Sequence, residues 1–198
     1  RFCLRGQRSL VPDTGLATML ALVAGQGRLP ALVYERLCAT SEAPLVAELE
    51  GFKAGTPVSA DVTFRLETLG SFFADLKARG VSRVAFAGRV RRPLLDEGLV
   101  DKATKPMFER LASALRDGDD GALRVILDLF SDAGFQLMTV PELAPELLPA
   151  PGSATRATPA RCDEQEAQRG MAVIAAMGAA DVGQACVISR GVVLAVEI

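Results

Sequence analysis

Two short glycine-bearing stretches hold most of the chemistry this sequence can offer. The first, Gly25-Gln26-Gly27-Arg28-Leu29-Pro30, separates an apolar run from a helix-like one. At such a junction, backbone N–H groups and the helix dipole can hold a phosphate, and residues without side chains let it approach closely. The spacing fits neither common nucleotide loop. A dinucleotide fingerprint wants glycine where Pro30 stands, no acidic residue closes a convincing second strand, and no Gly-Lys-Ser/Thr follows. A tight turn required only by the fold explains the stretch equally well. The second, Gly88-Arg89-Val90-Arg91-Arg92-Pro93, follows the most strand-like run of the chain. It lies where the carboxyl ends of strands bind ligands in open α/β sheets. Its arginines could grip a diphosphate in bidentate fashion. A basic, solvated loop is the competing reading, and position at the sheet edge favours function.

Two further groups carry weaker signals. Gly118-Asp119-Asp120 offers paired carboxylates that could ligate magnesium. Capping of the next helix accounts for the same residues, and local physics favours it. In Asp181-Val182-Gly183-Gln184 the aspartate and glycine suit a turn, whereas a glutamine entering a strand points to a polar site.

Composition removes whole classes of mechanism. The 198 residues contain no histidine, which excludes Ser-His-Asp and Cys-His catalysis and histidine zinc sites within them. Metal chemistry would need carboxylates and hence a hard ion. Cys3, Cys38, Cys162 and Cys186 lie far apart with no CxxC spacing, as expected of reduced thiols in a cytoplasmic protein. A net charge of −2 creates no general attraction for nucleic acid or anionic membrane. No apolar run reaches the ~20 residues of a membrane span. Residues 1–18 show no secretory-signal pattern and are expected to be a non-native upstream extension, with the domain starting at Met19.

The elements that must position these stretches alternate between strand and helix. Strands are expected at 20–24, 44–49, 62–66, 81–87 and 135–140. The intervening helices run from Pro30 to Ala39, from Leu69 to Gly80, from Pro106, and from Asp119 or Asp120 to Gly134. In the helix from Leu69, apolar residues at 69, 72, 73 and 76 keep the helical period. Alternation of this kind predicts βαβ crossovers. The fold expected is a Rossmann-like, three-layer α/β domain over 19–140 with a mainly parallel sheet. A proline-rich linker over 141–160 and the start of a second α/β domain over 161–198 follow. That second part reads as a helix capped near Asp163 and Glu166, then a hairpin turning at Arg190-Gly191.

Four ordered pieces together resemble one family: the segment from Met19 to Pro30, Phe86 to Pro93, Gly118-Asp119-Asp120 with its helix, and Asp181 to Gln184 running on to Glu197. They are similar to the UDP-2,3-diacylglucosamine pyrophosphatase family of lipid A synthesis in some Gram-negative bacteria. The resemblance implies a two-domain, magnesium-assisted hydrolase that cleaves UDP-2,3-diacylglucosamine to the lipid 1-phosphate and UMP, by water attack at the β-phosphorus. Matched by motif position, it implies a substrate-binding lining from Gly25, Gly27, Gly88, Arg89, Arg92, Asp120 and Gln184, with Arg91 following a looser pattern. It also implies cytoplasmic work at the inner face of the inner membrane, a homo-oligomer, and no nucleic-acid partner. The family's essential aspartate is expected beyond Ile198, so none of the carboxylates present is expected to be catalytic and the chain alone is expected to be inactive. A non-catalytic nucleotide-binding module is the alternative. A Rossmann oxidoreductase is opposed by Pro30 and the missing ribose-binding acid.

Overall fold

A computed structural model describes residues 19–55, 58–91, 93–117, 119–153, 155–180 and 182–197, with the side chains at 117, 119 and 120 outside that description. Strand β1 (Met19–Ala24) contains no polar side chain, and all but its first residue are buried. A strand covered on both faces sends alternate side chains into two different cores. Leu20, Leu22 and Ala24 join Val33 and Leu37 of helix α1 (Leu29–Ala39). Ala21 and Val23 join Leu69, Phe72, Phe73 and Leu76 of helix α2 (Leu69–Ala78).

The first sheet has the order β3-β2-β1-β4-β5. Its other strands are β2 (Leu45–Leu49), β3 (Val62–Phe64), β4 (Val81–Ala87) and β5 (Gln136–Met138). Every pairing is parallel, so the mainly parallel Rossmann-like sheet expected from the sequence is present. Helices α3 (Lys105–Asp117) and α4 (Asp119–Asp132) cover the same face as α2. That layer is organised by Phe130, which is fully buried and meets Phe73, Phe86 and Phe135 edge-on or tilted at 4.7, 5.0 and 5.9 Å.

β2 is the strand expected at 44–49, and Glu48 is tolerated inside it because its Oε1 accepts the Ala54 N–H at 2.9 Å. Two details depart from the sequence reading. The chain expected as linker from residue 141 is packed as far as Leu147. Helix α5 (Val140–Leu143) places Val140, Leu143 and Leu147 against the α1-side core, and Ala144 is fully buried. α4 begins at Asp119 itself, so Asp119 and Asp120 occupy its first turn instead of preceding it.

Compact units divide at Leu148/Pro149. In the second unit, helix α6 (Arg161–Ala179) starts with the Asp163 carboxylate accepting the Ala160 N–H at 2.8 Å. Strands β6 (Cys186–Ser189) and β7 (Val192–Val196) pair antiparallel. Their turn puts Arg190 and Gly191 at φ 47° and 73°, the double left-handed geometry of a tight hairpin. Gly170 of α6 faces this hairpin, where a Cβ would lie in ordinary contact 3.5 Å from Ile188.

Candidate ligand-binding site

The strand order reverses between β1 and β4, since β1 continues to β2 on one side while β4 lies on the other. Ligand crevices of open α/β sheets form outside the carboxyl ends at such a switch. Register aligns the two ends: Ala24 pairs with Ala87, so Gly25 and Gly88 follow at the same level. The two sequence-predicted turns are then tied together by backbone. Gly25 N–H donates to Ala87 O, Gln26 N–H to Arg89 O and Arg89 N–H to Gln26 O, each at 2.8 Å, giving an antiparallel bridge between Gln26 and Arg89.

This clasp explains three residue types. A Cβ at Gly25 would sit 2.8 Å from the Arg89 carbonyl oxygen. Gly88 combines φ +95° with a Cβ position only 2.7 Å from Pro30 Cγ and 2.8 Å from Gln26 O. Pro30, the residue that spoils the dinucleotide fingerprint, is buried at the start of α1 and packs against Gly88. Gly27 differs. It has φ +105°, is exposed, and has open space where a Cβ would go, so a ligand can approach its backbone.

The electrostatics of the mouth favour an anion. α1 has no side-chain cap and no acidic residue in its first turn, leaving its N-terminal N–H groups and dipole unopposed by protein charge. Arg28, Arg89 and Arg91 are exposed, and no carboxylate among the described residues pairs with them. Arg28 is a cation that motif reasoning passed over; its place beside Gly27 was the available signal.

The acid after β2, which the sequence reading found missing, is Glu50. Its Oε2 is engaged by Arg65 Nη1 at 3.1 Å. Arg65 also reaches the buried Glu67 at 3.3 Å. These side chains border a small cavity, about 50 Å³, that Pro93 and Leu94 also line. Sequence reasoning missed this group, although a carboxylate at position 67 among buried Phe64, Leu66 and Leu69 was a visible anomaly.

Of the predicted lining, the fold unites Gly25, Gly27, Gly88 and Arg89. Arg92 lies outside the described residues, as do Gly118 and Asp181. Asp120 has its backbone in the first turn of α4, and its side chain lies outside the described residues. Gln184 belongs to the second unit, where its N–H donates to Glu197 Oε2 at 3.0 Å. Gly183 is glycine because a Cβ would collide with the Glu197 carbonyl. The two halves of the fourth motif, around 183 and 197, are thus neighbours across the base of one hairpin.

Among the described residues no three acidic or cysteine side chains converge as a metal cage. The carboxylates of Asp119 and Asp120, which the sequence offers to magnesium, have side chains outside the described residues. No described helix is long and apolar enough to cross a membrane.

Strand order, crevice and clasped turns define the class: a doubly wound α/β domain with its open mouth at the switch point. Profile comparison matches residues 19–147 to the LpxI N-terminal domain and residues 150–198 to the LpxI C-terminal domain. This chain belongs to the LpxI family. It is 32% identical over 181 residues to the UDP-2,3-diacylglucosamine pyrophosphatase LpxI of Caulobacter vibrioides, an alignment covering 90% of this chain and 64% of that protein.

Proposed function

We propose that this chain binds the diphosphate of UDP-2,3-diacylglucosamine at the clasped turns and takes part in its hydrolysis to 2,3-diacylglucosamine 1-phosphate and UMP. The supporting observation is the Gln26–Arg89 bridge, which brings the arginine turn to the exposed Gly27 backbone, with Arg28, Arg89 and Arg91 lacking a carboxylate partner among the described residues. The relative from Caulobacter vibrioides carries this activity in its name. In the reaction, water adds at the β-phosphorus and the bridging oxygen leaves with UMP. The residues at the mouth bind and orient: N–H groups at the start of α1 donate hydrogen bonds to phosphate oxygens, and Arg28, Arg89 and Arg91 neutralise charge that builds on them. Arg92, by its place in the same turn, joins this set. Magnesium, where it takes part, would travel with the diphosphate oxygens and water. The lipid tail calls for work at the inner membrane surface.

Calorimetric titration of the full chain with UDP, alongside UMP release from UDP-2,3-diacylglucosamine, tests the proposal. UDP should bind, and Arg89→Ala should weaken it about ten- to a hundredfold, the worth of a charge-assisted pair. Absence of UDP binding overturns the assignment. Binding without turnover, both by this chain and by a version extended beyond Ile198, returns the chain to the reading of a nucleotide-binding module.

A further inference from the structure

The arginine turn is anchored at both ends. Its near end is the Gln26–Arg89 bridge. Its far end is Glu67, just after β3, whose side chain is almost wholly buried at 4% exposure. Glu67 Oε1 accepts the Asp96 N–H at 2.9 Å and Arg65 Nη2 at 3.3 Å. Its backbone carbonyl accepts the Asp101 N–H at 3.1 Å. One residue therefore holds the chain at 96 and again at 101. A carboxylate in such surroundings is costly unless it is paired, and these Oε1 partners lie outside α2, which Glu67 precedes. A role confined to starting that helix does not account for them. Pro93 and Leu94, on the tethered stretch, line the same small cavity as Glu50, Arg65 and Glu67.

We propose that Glu67 is a positioning residue for the diphosphate site, fixing the far end of the turn that carries Arg89 and Arg91. The inference rests on the ligand reading above. Between the Arg89 and Asp96 anchors the chain runs over residues 90–95. Without the carboxylate the next bond to Glu67 is at Asp101, and the span becomes 90–100. Loop-closure entropy alone makes that lengthening worth a factor of about 2.5, and the lost charge-assisted hydrogen bond raises it to about tenfold.

The test compares UDP affinity of the full chain with Glu67→Ala and Glu67→Gln, together with amide exchange followed residue by residue. Glu67→Ala should weaken UDP roughly three- to tenfold and speed exchange at Asp96, leaving β1 amides unchanged. Glu67→Gln, which keeps an acceptor in place, should recover most of the loss. UDP binding by Glu67→Ala equal to that of the unaltered chain overturns the inference, as do equal losses in both variants that merely track melting temperature. If Glu67→Ala does not fold, exchange in the unaltered chain decides: the Asp96 amide should exchange at least about tenfold more slowly than Val90, and equal rates overturn the clamp. Failure of the unaltered chain to bind UDP overturns the ligand assignment instead, while the Asp96 exchange result stands by itself.

Discussion

The two units use similar apolar residues to opposite effect. In the first, β1 sits between two helical layers and Leu20, Leu22, Phe130 and Leu69 are nearly or wholly hidden. In the second, no apolar side chain is fully buried among the described residues. Met171, Val187 and Leu194 are 71%, 54% and 63% exposed. A strand buries both faces only when a layer covers each side, and one helix against a two-stranded hairpin covers one. Hydrophobic composition therefore says little about core until the layers are counted. The contrast also separates two kinds of glycine. Gly25 and Gly88 are demanded by backbone contact within a rigid sheet end, whereas Gly27 stands over open space.

The sharpest way to break the comparison is Phe130→Ala. Removing the ring on which Phe73, Phe86 and Phe135 converge should cost roughly 3–5 kcal/mol, seen as a large fall in the urea midpoint of the first unit. Gly88→Ala comes next, at about 2–4 kcal/mol, because left-handed strain and overpacking add. Gly27→Ala, with strain alone, should cost about 1–2 kcal/mol. Equal urea midpoints for these two variants would refute the clasp as the cause.

Acidification probes the clamp. Burial raises the Glu67 pKa, but the Asp96 N–H, its own N–H and Arg65 outweigh that and hold it below the ordinary glutamate value. Asp101 is likewise raised by burial but held low overall by Ser71 and Thr104. Groups with depressed folded-state values contribute stability that is complete above the unfolded values, near about 4.3 and 3.9. That contribution is lost as pH falls through the folded ones. Amides at 96 and 104 should therefore lose protection below about pH 4 ahead of β1 amides. Simultaneous loss would show that the clamp has no local stability of its own. The smallest effect belongs to the second unit: Leu194→Ser on the exposed hairpin face should change stability by less than about 0.5 kcal/mol. A larger loss in a urea melt would mean that this face is covered in solution.

Local sequence was enough to read the period of α2, the unbroken apolar run of β1, the Arg190-Gly191 hairpin and the two glycine turns, because propensity, side-chain period and turn chemistry act over a few residues. β2 was obscured by Glu48, whose charge is excused only by the Ala54 amide brought back to it. The chain after 140 read as linker because prolines punctuate it, yet Ala144 finds a fully buried place beside α1.

What the sequence determined by itself was the two glycine turns, the arginines beside them and their order along the chain. Tertiary structure alone decided that Ala24 and Ala87 end in register, so that turns more than sixty residues apart share three backbone hydrogen bonds. It also decided that Glu67 tethers the arginine turn and that Glu50 is held by Arg65. Such pairings depend on strand register and crossover hand, which no short window of residues encodes.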